Sequence, residues 1–175
     1  MKFSGATWAP DSEGFYYSAY DAPKANVYSS KNECQKVYYH RLGTPQDADE
    51  LVYSDPQHPL RYLSASVSRD GRMLFITATE GTSGAEILYK KLDPASAAPA
   101  RMSAPARASV SKGTTPGYGF KVLFPGFAYD YSLVYGRDGK AVFYTNDGAS
   151  NGRLLQADLS GVTPVVTTLV PEGDC

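Results

Sequence analysis

Three times the chain repeats one local pattern: an aromatic or apolar strand, an Asp-Gly-like turn, then a hydrophobic strand. The copies are TWAPDSEGFYYSAY, SVSRDGRMLFITAT and LVYGRDGKAVFYTN, with turn aspartates Asp11, Asp70 and Asp138. Around them Val, Ile, Phe, Thr and 14 tyrosines gather in short runs, separated by Asp-Gly, Asn-Gly, Ser-Gly and Pro. Such residues suit a pleated, half-buried surface, and the dipeptides between them suit tight turns, so the pattern predicts many short antiparallel strands. No window carries a sustained helical apolar period. The predicted strands are Ala6–Ala9, Gly14–Tyr20, Lys36–Arg41, Glu50–Tyr53, Tyr62–Ser68, Arg72–Thr79, Glu86–Leu92, Phe120–Phe124, Tyr131–Tyr135, Ala141–Thr145, Leu154–Leu159 and Val165–Val170.

The turn aspartates lie 59 and then 68 residues apart, more than the ~40–50 residues of one propeller blade. Each interval therefore holds a blade and an insertion. The first insertion is the polar stretch Asp21–Glu33. The second is Pro94–Pro116, rich in Ala, Pro and Ser. It offers too little apolar surface to offset its ordering entropy, and reads as a mobile loop with one short outer strand around Ala100–Met102. Twelve strands shared among three turn motifs give about three four-stranded blades. A closed ring takes about four to eight. Three blades leave open edges with unpaired backbone groups, so the chain is expected to be all-β and part of a larger propeller.

At 175 residues, 42% hydrophobic and 20% charged, the chain is long enough for one globular domain. Lys and Arg number 17 against 18 acids, a net charge of −1, which excludes the basic excess that a nucleic-acid surface needs. No apolar run approaches the ~20 residues of a membrane span. The N-terminal MKFSGATWAPD has no apolar core of a signal peptide. Two cysteines, Cys34 and Cys175, cannot make a disulfide scaffold, and no Asn-x-Ser/Thr sequon occurs. These features fit a reducing cytosol.

Few residues suggest chemistry. A serine hydrolase needs a Gly-x-Ser-x-Gly elbow beside a histidine base, and the sequence has none. Its nearest string, Glu80-Gly81-Thr82-Ser83-Gly84, follows a strand but enters no helical pattern, and reads as a polar hairpin loop. Of the two histidines, His40 lies inside a strand and reads as a packing or hydrogen-bonding residue. His58 sits in a proline-flanked exposed turn. Neither they nor the lone interior Cys34 form a metal site. Asp47, Asp49 and Glu50 lack the spacing and the glycine of a calcium loop and read as a solvated acidic turn. The pairs Tyr16-Tyr17 and Tyr38-Tyr39 place one ring on each face of a strand, and blade packing accounts for them better than a carbohydrate platform. No cofactor or metal is expected.

The segment Gln35–Tyr53 carries the order Gln-x-x-Tyr-x-His-x-Leu-Gly-Thr-x-Gln-x-x-Asp. It closely resembles a segment of the β-propeller domain of the prolyl oligopeptidase family. Lys2–Tyr20, Leu63–Asp93, Phe127–Leu159 and the closing LVPEGD are similar to neighbouring parts of that domain, in the same order. Together these segments cover nearly the whole chain apart from the Ala/Pro insertion. Oligopeptidase B and dipeptidyl peptidase relatives fit the Gln35–Tyr53 motif less well.

The resemblance implies about three four-stranded blades of a seven-bladed propeller. It implies a two-part serine endopeptidase in the cytosol, in which the propeller admits short peptides and a separate α/β-hydrolase domain cuts them after proline. That hydrolase domain is expected to lie outside this chain, which is either a partial sequence or a truncated relative. The chain alone, with no catalytic residues, is expected to be inactive. The one residue carried over as substrate-facing is Phe3, set against a plain strand-end core role. Thr79 stands where the family commonly has Arg, and Thr82 where some members have Cys, which puts distal subsite preference in doubt. The expected partners are short proline-containing peptides, through the hydrolase domain, with neither nucleic acid nor membrane. From another class, the chain reads as a non-catalytic interaction module that self-associates through its open blade edges.

Overall fold

The structure is a computed structural model that describes residues 5–20, 33–92 and 118–173. Phe3, Cys175, most of the first insertion and all of Pro94–Pro116, with the short strand expected there, lie outside the described residues. The described residues form twelve strands: β1 (Ala6–Trp8), β2 (Gly14–Ala19), β3 (Lys36–Arg41), β4 (Glu50–Ser54), β5 (Tyr62–Val67), β6 (Met73–Thr79), β7 (Glu86–Lys91), β8 (Lys121–Phe124), β9 (Tyr131–Arg137), β10 (Lys140–Thr145), β11 (Arg153–Asp158) and β12 (Val165–Val170). They build three four-stranded antiparallel sheets in the orders β1-β2-β3-β4, β5-β6-β7-β8 and β9-β10-β11-β12. This is the expected all-β, partial-propeller architecture, and each of the twelve strands predicted within the described residues is present with ends within two residues of those read from the sequence.

Each repeated Asp-Gly-like motif makes the turn between the first two strands of a sheet. In the third copy Asp138 and Gly139 take positive φ values of 52° and 74°, the backbone that a two-residue hairpin turn requires. One short element escapes the sequence reading: the acidic stretch after β3 winds into a 3₁₀ turn over Gln46–Ala48.

Alternation of side chains along the strands decides where the core sits. In β6, Leu74, Ile76 and Ala78 point toward the first sheet, and Met73 and Phe75 toward the third. The middle sheet is thus buried on both faces, which is why MLFITAT is almost continuously apolar. Tyr16, Val37, Tyr39 and Tyr53 meet it from the first sheet. Ala141, Phe143, Leu155 and Ala157 meet it from the third. Aromatic contacts lock the second seam: the rings of Phe124 and Tyr131 stack at 4.2 Å, and Phe143 meets Phe75 and Phe124 edge-on.

The two outer sheets each keep one face uncovered by the described residues. The first presents Trp8, Phe15, Tyr38 and Leu51, cross-strand neighbours around the buried Tyr17. The third presents Tyr135, Val142, Tyr144, Leu154 and Val170. Trp8 is 60% exposed, Tyr144 47% and Val170 48%. What the three-sheet stack leaves open at its two ends is therefore sheet face as well as strand edge. Among the described residues no helix is long and apolar enough to cross a membrane.

Candidate functional site

The two linkers that join one sheet to the next, 55–61 and 125–130, gather at one end of the stack with the β6–β7 hairpin loop 80–85. Gly5, the first described residue, lies at the same end, because its carbonyl accepts the Ser18 amide at the close of β2.

Arg61 organises this end. Its Nη1 donates to Asp55 Oδ2 at 2.9 Å and its Nε to Glu80 Oε1 at 2.8 Å, while Glu86 Oε1 lies 3.6 Å from Nη1. The guanidinium also stands 4.7 Å over the Phe127 ring, a cation–π contact. Burial opposes the charge of Arg61, but the hydrogen bond to Glu80 and the fields of Asp55 and Glu86 outweigh it and hold the guanidinium above its ordinary pKa. One side chain thus ties a linker, a hairpin loop and the start of β7 to the next linker. A planar five-donor fork can do this where a lysine could not.

Backbone and glycine geometry complete the rim. Gly84 donates to Asp130 Oδ1 at 2.7 Å, and Ala85 donates to the Tyr129 carbonyl at 2.9 Å. Gly84 has φ +81°, and a Cβ there would collide with the Phe127 carbonyl. Asp130 in turn accepts from Asn146 Nδ2 at 3.2 Å, and its amide donates to Asn146 Oδ1 at 2.8 Å. Behind the rim, Tyr131 donates to Asp147 at 3.0 Å; burial first, then that carboxylate, pushes its phenol up to about 12.

The structure places the sequence-predicted residues as follows. Thr79 closes β6 opposite Tyr62, and Thr82 is exposed in the hairpin loop. The string Glu80–Gly84 leads into strand β7, so Ser83 sits in a hairpin and not on a strand-to-helix elbow. His58 is half exposed and its Nδ1 pairs with Asp55 at 2.9 Å. Cys34 is a free thiol. Phe3 lies outside the described residues. Among the described residues no three His, Cys, Asp or Glu side chains converge as a metal site. Sequence reasoning missed Arg61; its one signal is a lone Arg between Pro59 and a strand start, next to two acidic loops.

One reading needs correction. Asp49 is not a solvated turn acid: its side chain is only 3% exposed. Its carboxylate accepts Tyr17 Oη at 2.5 Å and pairs with His40 Nδ1 at 2.7 Å. The 3₁₀ turn folds the carboxylate back under these two groups, and Gln46 Nε2 reaches the same Tyr17 hydroxyl at 3.4 Å. Tyr38 stacks on Tyr17 at 5.7 Å. Gln35 Oε1 meanwhile accepts the amide of Leu63 at 2.6 Å, bridging to the next sheet. The Gln35–Tyr53 motif is thus blade architecture: Asp49 pairs with His40, Asp49 and Gln46 meet Tyr17 of β2, and Gln35 reaches Leu63 of the next sheet.

Comparison with known proteins agrees with this architecture. Residues 1–174 match the family model described as prolyl oligopeptidase, N-terminal β-propeller domain. The chain is 35% identical to a prolyl endopeptidase of Elizabethkingia miricola over 166 residues, 94% of this chain and 20% of the relative. Prolyl oligopeptidase B from Galerina marginata, solved bound to a 35mer hydrolysis and macrocyclization substrate, superposes with TM-score 0.78 at 26% identity, over 98% of this chain and 21% of that one. A prolyl endopeptidase solved in connection with inter-domain dynamics in catalysis and specificity superposes with TM-score 0.74 at 31% identity, over 97% of this chain and 21% of that one. The chain spans about a fifth of the length of the relatives it matches.

Proposed function

Since the chain belongs to the prolyl oligopeptidase family, as sequence of its N-terminal β-propeller domain, we propose that it forms the substrate-gating part of a serine endopeptidase that cleaves short peptides after proline in the cytosol. The observation that carries this reading is the linker end of the stack. Arg61 and Gly84 pin two blade linkers and the hairpin loop between them into a fixed rim, and a fixed rim can exclude folded chains by size while admitting an extended peptide. In this reading the nucleophile, base and oxyanion hole belong to a hydrolase domain outside these residues, and Phe3 reaches toward the substrate. An immunoblot of source cells with an antibody against Gln35–Tyr53 tests it. A band several times heavier than 18.9 kDa is expected, with Gly-Pro reporter cleavage that a serine-directed phosphonate abolishes. The purified 175-residue chain is expected to give no such turnover, and phosphonate-sensitive turnover by it would overturn the division of labour.

A second reading follows from the open outer faces, where Trp8, Tyr144 and Val170 are exposed. A chain of this length by itself would act as an interaction module, covering those faces and the adjoining edges by self-association. A single immunoblot band near 18.9 kDa, together with oligomers of one defined size, would favour it.

A further inference from the structure

Strand β7 ends and strand β8 begins in lysines that share a face. The register Tyr89↔Lys121 places Lys121 beside β7, and Lys91 follows two residues on, so the two are diagonal neighbours on the side of the third sheet. Both reach across to the same turn between β11 and β12. Lys91 Nζ donates to the Ser160 carbonyl at 2.8 Å and the Gly161 carbonyl at 3.3 Å, and Lys121 Nζ to the Val162 carbonyl at 3.4 Å. Between them lies a cavity of about 470 Å³, lined also by Tyr89, Lys90, Gly119 and Val162. That volume falls in the ordinary range for a small ligand.

Two cations converging on one turn repel each other, and neutral carbonyls offset only part of that repulsion. Counter-charge at this place is sparse. Asp158, held below the ordinary aspartate pKa by the Ser160 hydroxyl and amide and then by Lys140 and Lys91, already spends its carboxylate on the turn itself. An ammonium has three donors. After the carbonyl contacts Lys91 keeps one and Lys121 two.

We propose that this cavity binds a small free phosphate dianion, held by the ammonium donors that Lys91 and Lys121 keep after their carbonyl contacts. The site lies at the other end of the strands from the Arg61 rim and does not rest on the peptidase reading. Lysine supplies the compact point charges that suit such an anion. The test is calorimetric titration of the protein, in its native length, with inorganic phosphate at low ionic strength. The wild type is expected to bind saturably at one site. The double variant Lys91→Gln/Lys121→Gln is expected to bind about tenfold more weakly or worse. Arg41→Gln, which removes one surface cation on the first sheet, is expected to bind as the wild type does. Both altered lysines are solvent-exposed, so the variants should keep the wild-type circular dichroism spectrum. Wild-type affinity weaker than about 1 mM, or equal loss in Arg41→Gln and the lysine variant, would overturn the assignment.

Discussion

The carboxylate of Asp70, in the turn of the middle sheet, accepts the backbone amide of Asp138, in the matching turn of the third sheet, at 2.7 Å. The same carboxylate takes the Ser68 hydroxyl at 2.6 Å and the Arg72 amide at 3.2 Å, and beside it the Arg69 amide donates to the Gly136 carbonyl at 2.7 Å. One repeat motif is thus stitched to the next through the aspartate that defines it.

Replacing Asp70 therefore tests the seam between blades. Burial works against its charge, but the Ser68 hydroxyl and the amides of Asp138 and Arg72 outweigh it and hold the carboxyl below the ordinary aspartate value. Asp70→Ala is expected to cost about 1–2 kcal/mol at neutral pH. Because the folded-state value is the lower one, this stabilisation is present above the unfolded value near ~3.9 and is lost as pH falls through the folded value. Urea melts of wild type and variant should then converge in acid. A stability difference that persists unchanged below that window would show that Asp70 acts through packing.

Arg61 carries a larger share. Its side chain and that of Asp55 are 13% and 8% exposed, so removing the guanidinium leaves a buried carboxylate with only the half-exposed His58 beside it. Arg61→Met is expected to destabilise by about 3–5 kcal/mol, measured by chemical denaturation. Arg61→Lys keeps the charge but loses the fork that joins Asp55 to Glu80, and should recover less than half of the loss. Full recovery by lysine would reduce the clamp to a simple charge effect.

The rim also depends on one glycine and not on its neighbour. Gly84 combines a positive φ with contact against the Phe127 carbonyl, whereas a Cβ on Gly81 meets nothing within 4 Å. Gly84→Ala should cost about 1–3 kcal/mol or more. Gly81→Ala should be close to neutral. Native-state hydrogen exchange at Ala85, whose amide crosses to Tyr129, would report the local loss directly, and equal protection in both variants would contradict the strain argument.

The sheets were legible from sequence because each strand has its own short apolar run, bounded by turn residues at nearly every boundary. Lys36–Arg41 and Val165–Val170 match at both ends. Even β12, wholly exposed, shows itself by its β-branched residues alone. The sites were less legible. Asp49 lies in a run of acids that looks solvated, and only the 3₁₀ turn, the β3 register and Tyr17 from β2 bring its carboxylate indoors. Arg61, Glu80 and Phe127 are far apart in sequence and meet because blade linkers share one end of the stack. Lys91 and Lys121 are separated by an insertion, and the carbonyls they reach belong to another sheet. Local pattern encodes strands; it does not encode which connections a stacked architecture gathers.

Alkaline titration probes both seams at once. Desolvation first, then the nearby Tyr39 hydroxyl and the carboxylates of Asp11 and Glu50, push the Tyr16 phenol up to about 12. Tyr131, behind the second seam, is pushed to about 12 by burial and by its bond to Asp147. Tyr53, under the first seam, is raised further by burial and by Asp55 and Glu86. Each phenol is neutral in the fold and would ionise near ~10 when unfolded. Their raised values therefore support the fold fully below that pH and lose their contribution as pH rises toward the folded values. Ultraviolet absorbance should show a reversible early phase, then a late, cooperative phase near pH 12 that coincides with loss of β-sheet circular dichroism. Tyr16→Phe and Tyr131→Phe should each shrink the late phase and shift it to higher pH. A single phase centred near 10 with the sheets still intact would mean that the seams admit water, and that the packing inferred for Tyr16, Tyr53 and Tyr131 is wrong.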